Sequence, residues 1–242
     1  MSTIAWLNER DISFPPTEVA LADPNGLLAV GGDLQPERLI AAYRNGIFPW
    51  YDESQPILWW SPSPRAVLFP EKIKISKSLR KVLKRRVFDV CCDRSFREVM
   101  TYCALTPRHG QNGTWITEAM LDAFCELHRM GIAHSVESWQ DGKLVGGLYG
   151  IAIGKVFFGE SMFSLKTDAS KVALVHLARR LRGWGYPLID CQVSTPHLIS
   201  LGAEEINRKA FTCLLEENID KVSPVHWPSD WDSEFDWRED AL

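Results

Sequence analysis

The 242-residue chain lacks the sequence features that mark membrane-spanning and secreted proteins. No apolar run approaches the roughly 20 residues that a membrane-spanning helix needs. Residues 1–10 have no basic start followed by an apolar stretch, so we expect no secretory signal there. Both absences predict a cytoplasmic protein that does not enter a membrane.

The chain also lacks common catalytic and metal-binding motifs. No Gly-x-Ser-x-Gly or Gly-Lys-Ser/Thr sequence occurs, which argues against a nucleophile elbow and a P-loop. The six histidines show no metal-ligand spacing, and the six cysteines include no Cys-x-x-Cys pair. We interpret the cysteines as reduced, buried thiols and expect no metal and no other cofactor.

The net charge of −4 hides an uneven distribution of charge along the chain. Residues 216–242 form an acidic tail with nine acids and two bases, which leaves 22 acids and 25 bases in the remainder. A basic segment at residues 71–86 contains one acid and eight bases: Lys72, Lys74, Lys77, Arg80, Lys81, Lys84, Arg85 and Arg86. Such a cluster suits a phosphate backbone, although a solvated helix face is an equally good interpretation of this stretch alone.

A proline-rich stretch at residues 59–64 interrupts regular structure and predicts a domain boundary. The prediction is a small N-terminal domain over residues 1–64 and a larger domain over residues 65–242 that ends in the acidic tail. Because about 64 residues are marginal alone, the small domain is expected to pack on the larger one. Pro36 and Gly46 delimit a short helix within it.

The order of elements in the larger part predicts an α/β (α+β) fold. Helices are expected over residues 76–86, 117–130 and 168–182, the last capped by Asp168, and strands over residues 134–139, 143–153, 155–163, 188–193 and 203–206. Asp141-Gly142 joins the first two strands in a hairpin. A strand meander followed by a helix and a strand is the order of an acetyltransferase-like domain, with a mostly antiparallel sheet flanked by helices. The link over residues 161–168 contains no glycine, which disfavours coenzyme A.

Two polar residues stand in an otherwise apolar strand near residue 190. Residues i and i+2 of a strand share a face, so Asp190 and Gln192 are expected to point together while Cys191 points away. A carboxylate and an amide are costly in such a strand unless they are hydrogen-bonded. The pair therefore marks either a structural hydrogen bond or a functional site.

Several longer motifs resemble the leucyl/phenylalanyl-tRNA–protein transferase family. They are Gly-Leu-Leu-Ala-Val-Gly-Gly-Asp-Leu (26–34), Asn-Gly-Ile-Phe-Pro-Trp (45–50), Leu-Trp-Trp-Ser-Pro (58–62), Gly-Thr-Trp-Ile-Thr (113–117), Phe-Phe-Gly-Glu-Ser-Met-Phe-Ser (157–164), Asp-Ala-Ser-Lys (168–171) and Leu-Ile-Asp-Cys-Gln-Val (188–193). The resemblance extends over residues 14–215. It implies transfer of Leu, Phe or Met from aminoacyl-tRNA to the N-terminal Arg or Lys of acceptor proteins, which marks them for N-end-rule (N-degron) proteolysis.

The resemblance also assigns roles to residues. It implies that Asp190, Gln192 and Glu160 are catalytic and that Trp50, Trp115 and Tyr43 bind the 3′ adenosine of the tRNA. An apolar pocket for the amino acid is expected from Leu148, Phe157, Leu177, Leu181 and Ile189, and contacts with the tRNA backbone from the basic segment. From the residues alone, Glu160 is as well explained by a local salt bridge, and the two tryptophans by the core.

The chemistry implied by the family is aminolysis of an ester that is already activated. The attacking α-amine has a reference pKa of roughly 7.7–8.0, so a useful fraction is neutral at pH 7. The enzyme mainly has to position two substrates and stabilise developing charge. An amide is not a convincing base, so we expect Asp190 to orient Gln192. Two alternatives remain: a coenzyme A-dependent N-acetyltransferase and a non-catalytic tRNA-binding adaptor.

Overall fold

The computed structural model describes residues 4–8, 10–106, 115–223, 227–228 and 231. Helices α1 to α7 span Pro36–Arg44, Lys77–Lys84, Phe96–Leu105, Glu118–Arg129, Ala169–Gly183, Pro196–Ser200 and Arg208–Asn218. Strands β1 to β5 span Ala5–Leu7, Leu27–Gly31, Phe48–Pro49, Leu58–Trp60 and Arg65–Leu68. Strands β6 to β11 span Asp89–Cys92, Ala133–Gln140, Lys143–Ile153, Val156–Ser164, Leu188–Gln192 and Glu204–Ile206. The predicted α/β class and the predicted order of elements are confirmed.

Two sheets organise the described residues. The first has four strands in the order β1-β2-β4-β3, and the second has seven in the order β11-β5-β10-β9-β8-β7-β6. Strands β7, β8 and β9 form the predicted antiparallel meander, and α5 then carries the chain to β10, which lies parallel to β9. The hairpin between β7 and β8 turns at Asp141 and Gly142, both with positive φ, as its sequence predicted.

Local sequence explains where α2 and α4 begin. The side chains of Ser76 and Thr117 accept hydrogen bonds from the first turns of α2 and α4, each at 3.2 Å. Asp168 behaves differently from the prediction, because its backbone is left-handed (φ 68°) and its side chain makes no cap hydrogen bond. Its carboxylate accepts a hydrogen bond from Lys171 at 2.8 Å instead, so Asp168 marks the start of α5 without capping it.

The hydrophobic core is continuous across the two sheets. One apolar cluster joins residues of the first sheet and α1, such as Trp59 and Leu39, to residues of α3, α4, β8, β9 and α7. A second cluster fills the other side of the seven-stranded sheet beneath α2 and α5. The small N-terminal part therefore packs on the rest as expected, while the boundary at residue 64 stays a prediction.

The structure adds detail to two predicted features, the acidic tail and the cysteines. Trp227 and Trp231 of the acidic tail belong to the second cluster, and the rest of the tail beyond residue 223, apart from Pro228, lies outside the described residues. All six cysteines are free, but only Cys92 and Cys103 are buried. Cys91, Cys125 and Cys191 are half-buried and Cys213 is exposed, so the prediction of buried thiols is confirmed for two of the six. Among the described helices, none combines the length and apolar character needed to cross a bilayer.

Candidate active site

A mostly apolar cleft opens between β9 and β10, beyond the point where their pairing ends at Phe158 and Asp190. Its volume is about 640 Å³. The apolar lining includes Leu148, Phe157, Met162, Leu174, Leu177, Leu198 and Ile189, and the polar lining includes Glu160, Ser161, Gln192, Thr195 and His197. A cleft of this size and character is typical of a site for a small organic group with a few orienting polar atoms.

Glu160 is held at the wall of the cleft by a bulge in β9. Tyr149 of β8 pairs with Ser161 and Gly150 pairs with Gly159, so Glu160 is the extra residue on β9. Its Oε1 accepts hydrogen bonds from Tyr43 Oη at 2.8 Å and from Gln192 Nε2 at 2.7 Å. Burial raises the pKa of Glu160 to about 7, against the lowering effect of these two hydrogen bonds. Glu160 therefore changes its charge near neutral pH.

Asp190 lies behind this wall and pairs with an arginine that sequence reasoning missed. Arg65 Nε and Nη2 donate to the two carboxylate oxygens of Asp190 at 2.8 and 2.7 Å, and both side chains are buried. The signal that could have revealed it is a second charged residue in an apolar strand: Arg65 stands in the short strand β5, as Asp190 stands in β10. A buried carboxylate needs a partner, but the sequence did not show that the partner is 125 residues away.

The backbone at residue 192 departs from the regular strand, which corrects the predicted side-chain directions. The register shifts between Asp190 and Gln192, and Gln192 has a left-handed φ of 61°. As a result, Gln192 lines the cleft together with Cys191, whereas Asp190 does not. Asp190 Oδ1 accepts from the backbone N–H of Gln192 at 2.9 Å, so it contacts the backbone of Gln192 and not its amide side chain.

The three aromatic residues assigned to the adenosine occupy two different environments. Trp50 and Trp115 line the cleft, and Trp50 is 37% exposed. Tyr43 has no exposed surface; its ring packs edge-on against Phe158 at 5.2 Å, and its hydroxyl is bonded to Glu160. A fully buried ring offers no face to a base, so this packing does not support direct adenosine binding by Tyr43, and that assignment stays a prediction.

Four of the five predicted pocket residues line the cleft. They are Leu148, Phe157, Leu177 and Ile189. Leu181 does not, since it lies one turn further along α5 and is fully buried in the core. Leu174, one turn before Leu177 on the same helix, lines the cleft in its place. The prediction thus identified α5 as a wall of the cleft but placed that wall one turn too far along the helix.

The basic segment lies on the surface and contributes nothing to the cleft lining. Seven of its eight bases are exposed, and Arg80 is half-buried. Lys72 donates to Glu204 at 3.0 Å, and this ion pair neutralises part of the positive charge of the basic segment. The apolar residues of α2, Leu79 and Leu83, are buried, so the helix presents its bases to solvent. This exposure fits both interpretations of the segment, a phosphate contact and a solvated face.

One group of described side chains has the chemistry of metal ligands. Ligand atoms of Cys92, Asp93 and His134 lie within 4.8 Å of one another. The Asp93 carboxylate already bonds the His134 ring at 2.7 Å and the Ser135 N–H at 2.8 Å. Burial raises the pKa of the Cys92 thiol well above its ordinary value, which disfavours the thiolate that a metal needs. Hydrogen bonds thus account for this group, and the absence of a metal stays a prediction.

Comparison with known proteins identifies close relatives. A family model described as leucyl/phenylalanyl-tRNA protein transferase matches residues 67–216, and one for the N-terminal domain of that transferase matches residues 32–63. A leucyl/phenylalanyl-tRNA–protein transferase of Stutzerimonas stutzeri is 58% identical over 224 residues, which cover 93% of this chain and 99% of the relative. One from Nitrosomonas europaea is 61% identical over 207 residues, which cover 86% of this chain and 87% of the relative.

These matches, together with a cleft lined by a half-buried carboxylate and an amide, define an aminoacyltransferase. The residues matched make up more than half of the chain and include every cleft residue named above. The chain belongs to the leucyl/phenylalanyl-tRNA–protein transferase family. The resemblance drawn from the sequence motifs is thereby confirmed, while the roles of individual residues stay predictions.

Proposed function

We propose that this protein transfers Leu, Phe or Met from aminoacyl-tRNA to the N-terminal Arg or Lys of acceptor proteins in the cytoplasm, which marks them for N-end-rule proteolysis. The observation that carries the proposal is the position of Glu160 and Gln192 at the wall of an apolar cleft of about 640 Å³. The cleft has room for an apolar side chain, and the polar pair provides hydrogen-bonding atoms where the ester and the amine meet.

The apolar walls set the donor class. Leu148, Phe157, Leu174 and Ile189 give the cleft aliphatic and aromatic surfaces. Burying a Leu, Phe or Met side chain is worth about 1.5–3 kcal/mol, whereas a charged donor side chain would lose its hydration. One methylene changes such binding by only about 1–3 kcal/mol, so several apolar amino acids are accepted by the same walls.

The transfer itself exchanges one acyl bond for another. The neutral α-amine of the acceptor attacks the ester carbonyl carbon; a C–N bond forms and the bond from that carbon to the ribose oxygen breaks. One amine proton has to leave the nitrogen, and one proton has to reach the departing ribose oxygen. No covalent intermediate on the protein is needed, because the ester is already activated.

Glu160 and Gln192 are suited to complementary parts of this reaction. The Gln192 amide donates through Nε2 to Glu160. The amide oxygen of Gln192 is then left to accept a hydrogen bond from the attacking amine. Glu160, whose pKa burial raises to about 7, is closely matched to the amine pKa of roughly 7.7–8.0. As a carboxylate it takes the amine proton, which then passes to the ribose oxygen.

The tRNA is proposed to bind through two separate surfaces. Trp50 and Trp115 line the cleft and offer rings for the terminal adenosine, since base–aromatic stacking is worth about 1–3 kcal/mol per base. The exposed bases of the basic segment neutralise phosphates of the tRNA body. The first surface positions the ester, and the second adds affinity that does not depend on sequence.

The deciding experiment offers the protein Phe-tRNA carrying a labelled amino acid and peptides that differ only at the first residue. We expect labelled product with N-terminal Arg or Lys and none with N-terminal Asp or with an acetylated Arg peptide. Binding of tRNA without product in any peptide would support the adaptor alternative. Product formed from acetyl-coenzyme A, with none from aminoacyl-tRNA, would support the acetyltransferase alternative.

A further inference from the structure

Arg65 lies on β5, beside residues of the first sheet and of α7, and its side chain pairs with Asp190. Its guanidinium lies between the rings of Phe48 on β3 and Phe211 on α7, at 4.9 and 4.6 Å from their centroids. The side chain is 1% exposed. Two aromatic faces and the bidentate contact with Asp190 together fix both the position and the plane of the guanidinium.

Most of the polar bonding of Arg65 is directed at Asp190. Nε and Nη2 donate to Asp190, and Nη1 has no hydrogen-bond partner among the described residues. If the arginine served only to join the sheets, an aliphatic side chain would fill the space between two rings at a lower desolvation cost. The fork geometry instead matches the two oxygens of one carboxylate.

Asp190 passes this constraint to the backbone of Gln192. Its Oδ1 accepts from both Arg65 Nε, at 2.8 Å, and the Gln192 N–H, at 2.9 Å. The amide so held belongs to a non-glycine residue with φ of 61°, a conformation that L-residues avoid unless their surroundings impose it. The bulge brings the Gln192 side chain to the cleft and to Glu160.

We propose that Arg65 is a positioning residue for the transfer reaction: through the Asp190 carboxylate it holds the left-handed bulge at Gln192, and thereby aims the Gln192 amide at Glu160 and the cleft. This inference rests on the proposed roles of Gln192 and Glu160. It adds a requirement that those roles do not contain, since the Arg65 side chain donates its hydrogen bonds to Asp190 and does not line the cleft.

The charge of Arg65 and its shape have separable consequences. The positive charge of Arg65 lowers the pKa of Glu160 and the negative charge of Asp190 raises it, both less than burial does. A lysine at position 65 keeps the charge but cannot form the two parallel bonds. Arg65→Lys should therefore disturb the aim of Gln192 while leaving the pH midpoint of the reaction nearly unchanged.

The test compares Arg65→Lys, Asp190→Asn and the double variant with a matched control, Arg38→Lys. Arg38 is also fully buried and also forks onto one carboxylate, that of Asp33 at 3.2 and 3.1 Å, but it does not line the cleft. Steady-state rates with a minimal aminoacyl-adenosine donor and an Arg-starting peptide are measured against pH. Thermal unfolding of each variant is measured alongside.

We expect Arg65→Lys to lower kcat by about 10²-fold, the loss typical of a misplaced group, with KM and the pH midpoint almost unchanged. The double variant should be little worse than the worse single variant, because both changes break one chain of contacts. Arg38→Lys should lower the unfolding temperature without this loss of kcat. Full kcat in Arg65→Lys, an equal kcat loss in Arg38→Lys, or additive losses in the double variant would overturn the proposal.

A second measurement does not depend on turnover. Hydrogen exchange at the backbone amide of Gln192 should be faster in Arg65→Lys and Asp190→Asn than in the wild type, and unchanged in Arg38→Lys. Unchanged exchange in Arg65→Lys would overturn the proposal even if activity fell. A wild type that makes no product is a failure of the proposed transfer, and this exchange measurement still decides whether Arg65 positions Gln192.

Discussion

Tyr43 and Glu160 meet across 117 residues of sequence, with Tyr43 Oη donating to Glu160 Oε1 at 2.8 Å. Tyr43 comes from α1 beside the first sheet, and Glu160 comes from β9 of the second sheet. This hydrogen bond lowers the pKa of Glu160, although burial has the larger, raising effect. Helix α1 thus helps to set the charge state of Glu160 at the cleft wall.

Removing this hydrogen bond should move the pH dependence of the reaction. Tyr43→Phe keeps the ring and deletes the donor, so the pKa of Glu160 should rise above its value of about 7. Because the carboxylate is the proposed proton acceptor, activity should be lost at pH 7 and recovered at higher pH. A plot of kcat/KM against pH measures the shift. An unmoved acid limb, or a selective rise in donor KM, would instead favour direct contact between Tyr43 and the adenosine.

Glu160 should also make the stability of the protein depend on pH. Its folded-state pKa is raised from 4.5 to about 7, so its favourable contribution is complete below 4.5 and lost as pH rises through 7. At one pKa unit per 1.36 kcal/mol, the full effect is of the order of 3 kcal/mol. The free energy of unfolding is measured in urea at pH 5 and pH 8 for the wild type and for Glu160→Gln. Relative to the wild type, the variant should be more stable at pH 8 than at pH 5 by about that amount. An equal difference between the two proteins at both pH values would show that the pKa of Glu160 is not shifted.

The pocket residues predict a change in donor choice. Leu148 is 3% exposed and lines the cleft, so Leu148→Trp should fill the space and reduce use of Phe more than use of Leu. Competition between the two labelled donors measures the ratio. Leu181→Ala is the control: Leu181 is buried outside the cleft, so this variant should lose about 2–5 kcal/mol of stability with an unchanged ratio. Equal loss of both donors in Leu148→Trp would show that Leu148 is simply core.

The basic segment should act on the tRNA body alone. Replacing Lys77, Lys81, Lys84 and Arg85, which are all exposed, with Ala should weaken tRNA binding. The slope of log K against log salt should flatten by about 0.7–0.9 for each phosphate that the variant no longer neutralises. A minimal aminoacyl-adenosine donor should be used almost as well as by the wild type. Lys143, exposed in the β7–β8 hairpin, provides a control variant; a quadruple variant that kept the wild-type slope would leave the segment as a solvated helix face.

The burial of Trp231 predicts that the described part of the acidic tail stabilises the fold. Trp231 is fully buried, with its ring centroid 5.8 Å from that of Trp227 and the Arg180 guanidinium 5.3 Å from it. Trp231→Ala should cost about 3–5 kcal/mol of unfolding free energy, measured in urea, with kcat unchanged because Trp231 does not line the cleft. A stability equal to that of the wild type would show that the ring is not anchored in solution.

Local signals predicted the elements, and contacts between distant residues decided the site. Ser76 and Thr117 cap their helices through hydrogen bonds from residues three positions further on. The β7–β8 turn is formed by two adjacent residues, Asp141 and Gly142. Such features depend on short-range geometry and can be predicted from one sequence. The general location of the cleft followed from long family motifs, and four pocket residues followed with it.

Two of the differences between prediction and structure depend on a distant partner, and a third, at Asp168, is local. Alternation along β10 predicted a shared face for Asp190 and Gln192, but the pairing of Asp190 with Arg65 accompanies a bulge that a two-residue repeat does not contain. Tyr43 belongs to a conventional helix, and only the fold shows that its hydroxyl reaches Glu160. Asp168 has the right residue type for a cap, yet its left-handed backbone directs the carboxylate to Lys171.

The setting of Arg65 between Phe48 and Phe211 has a consequence for synthesis of the chain. Its contacts come from β3, β10 and α7, and Tyr43 adds α1, so the catalytic geometry requires pieces from nearly the whole length of the polypeptide. An unfinished chain has no Phe211 to close over the guanidinium and no completed bulge. A chain that stops before α7 is therefore expected to lack the proposed positioning of Asp190 and Gln192.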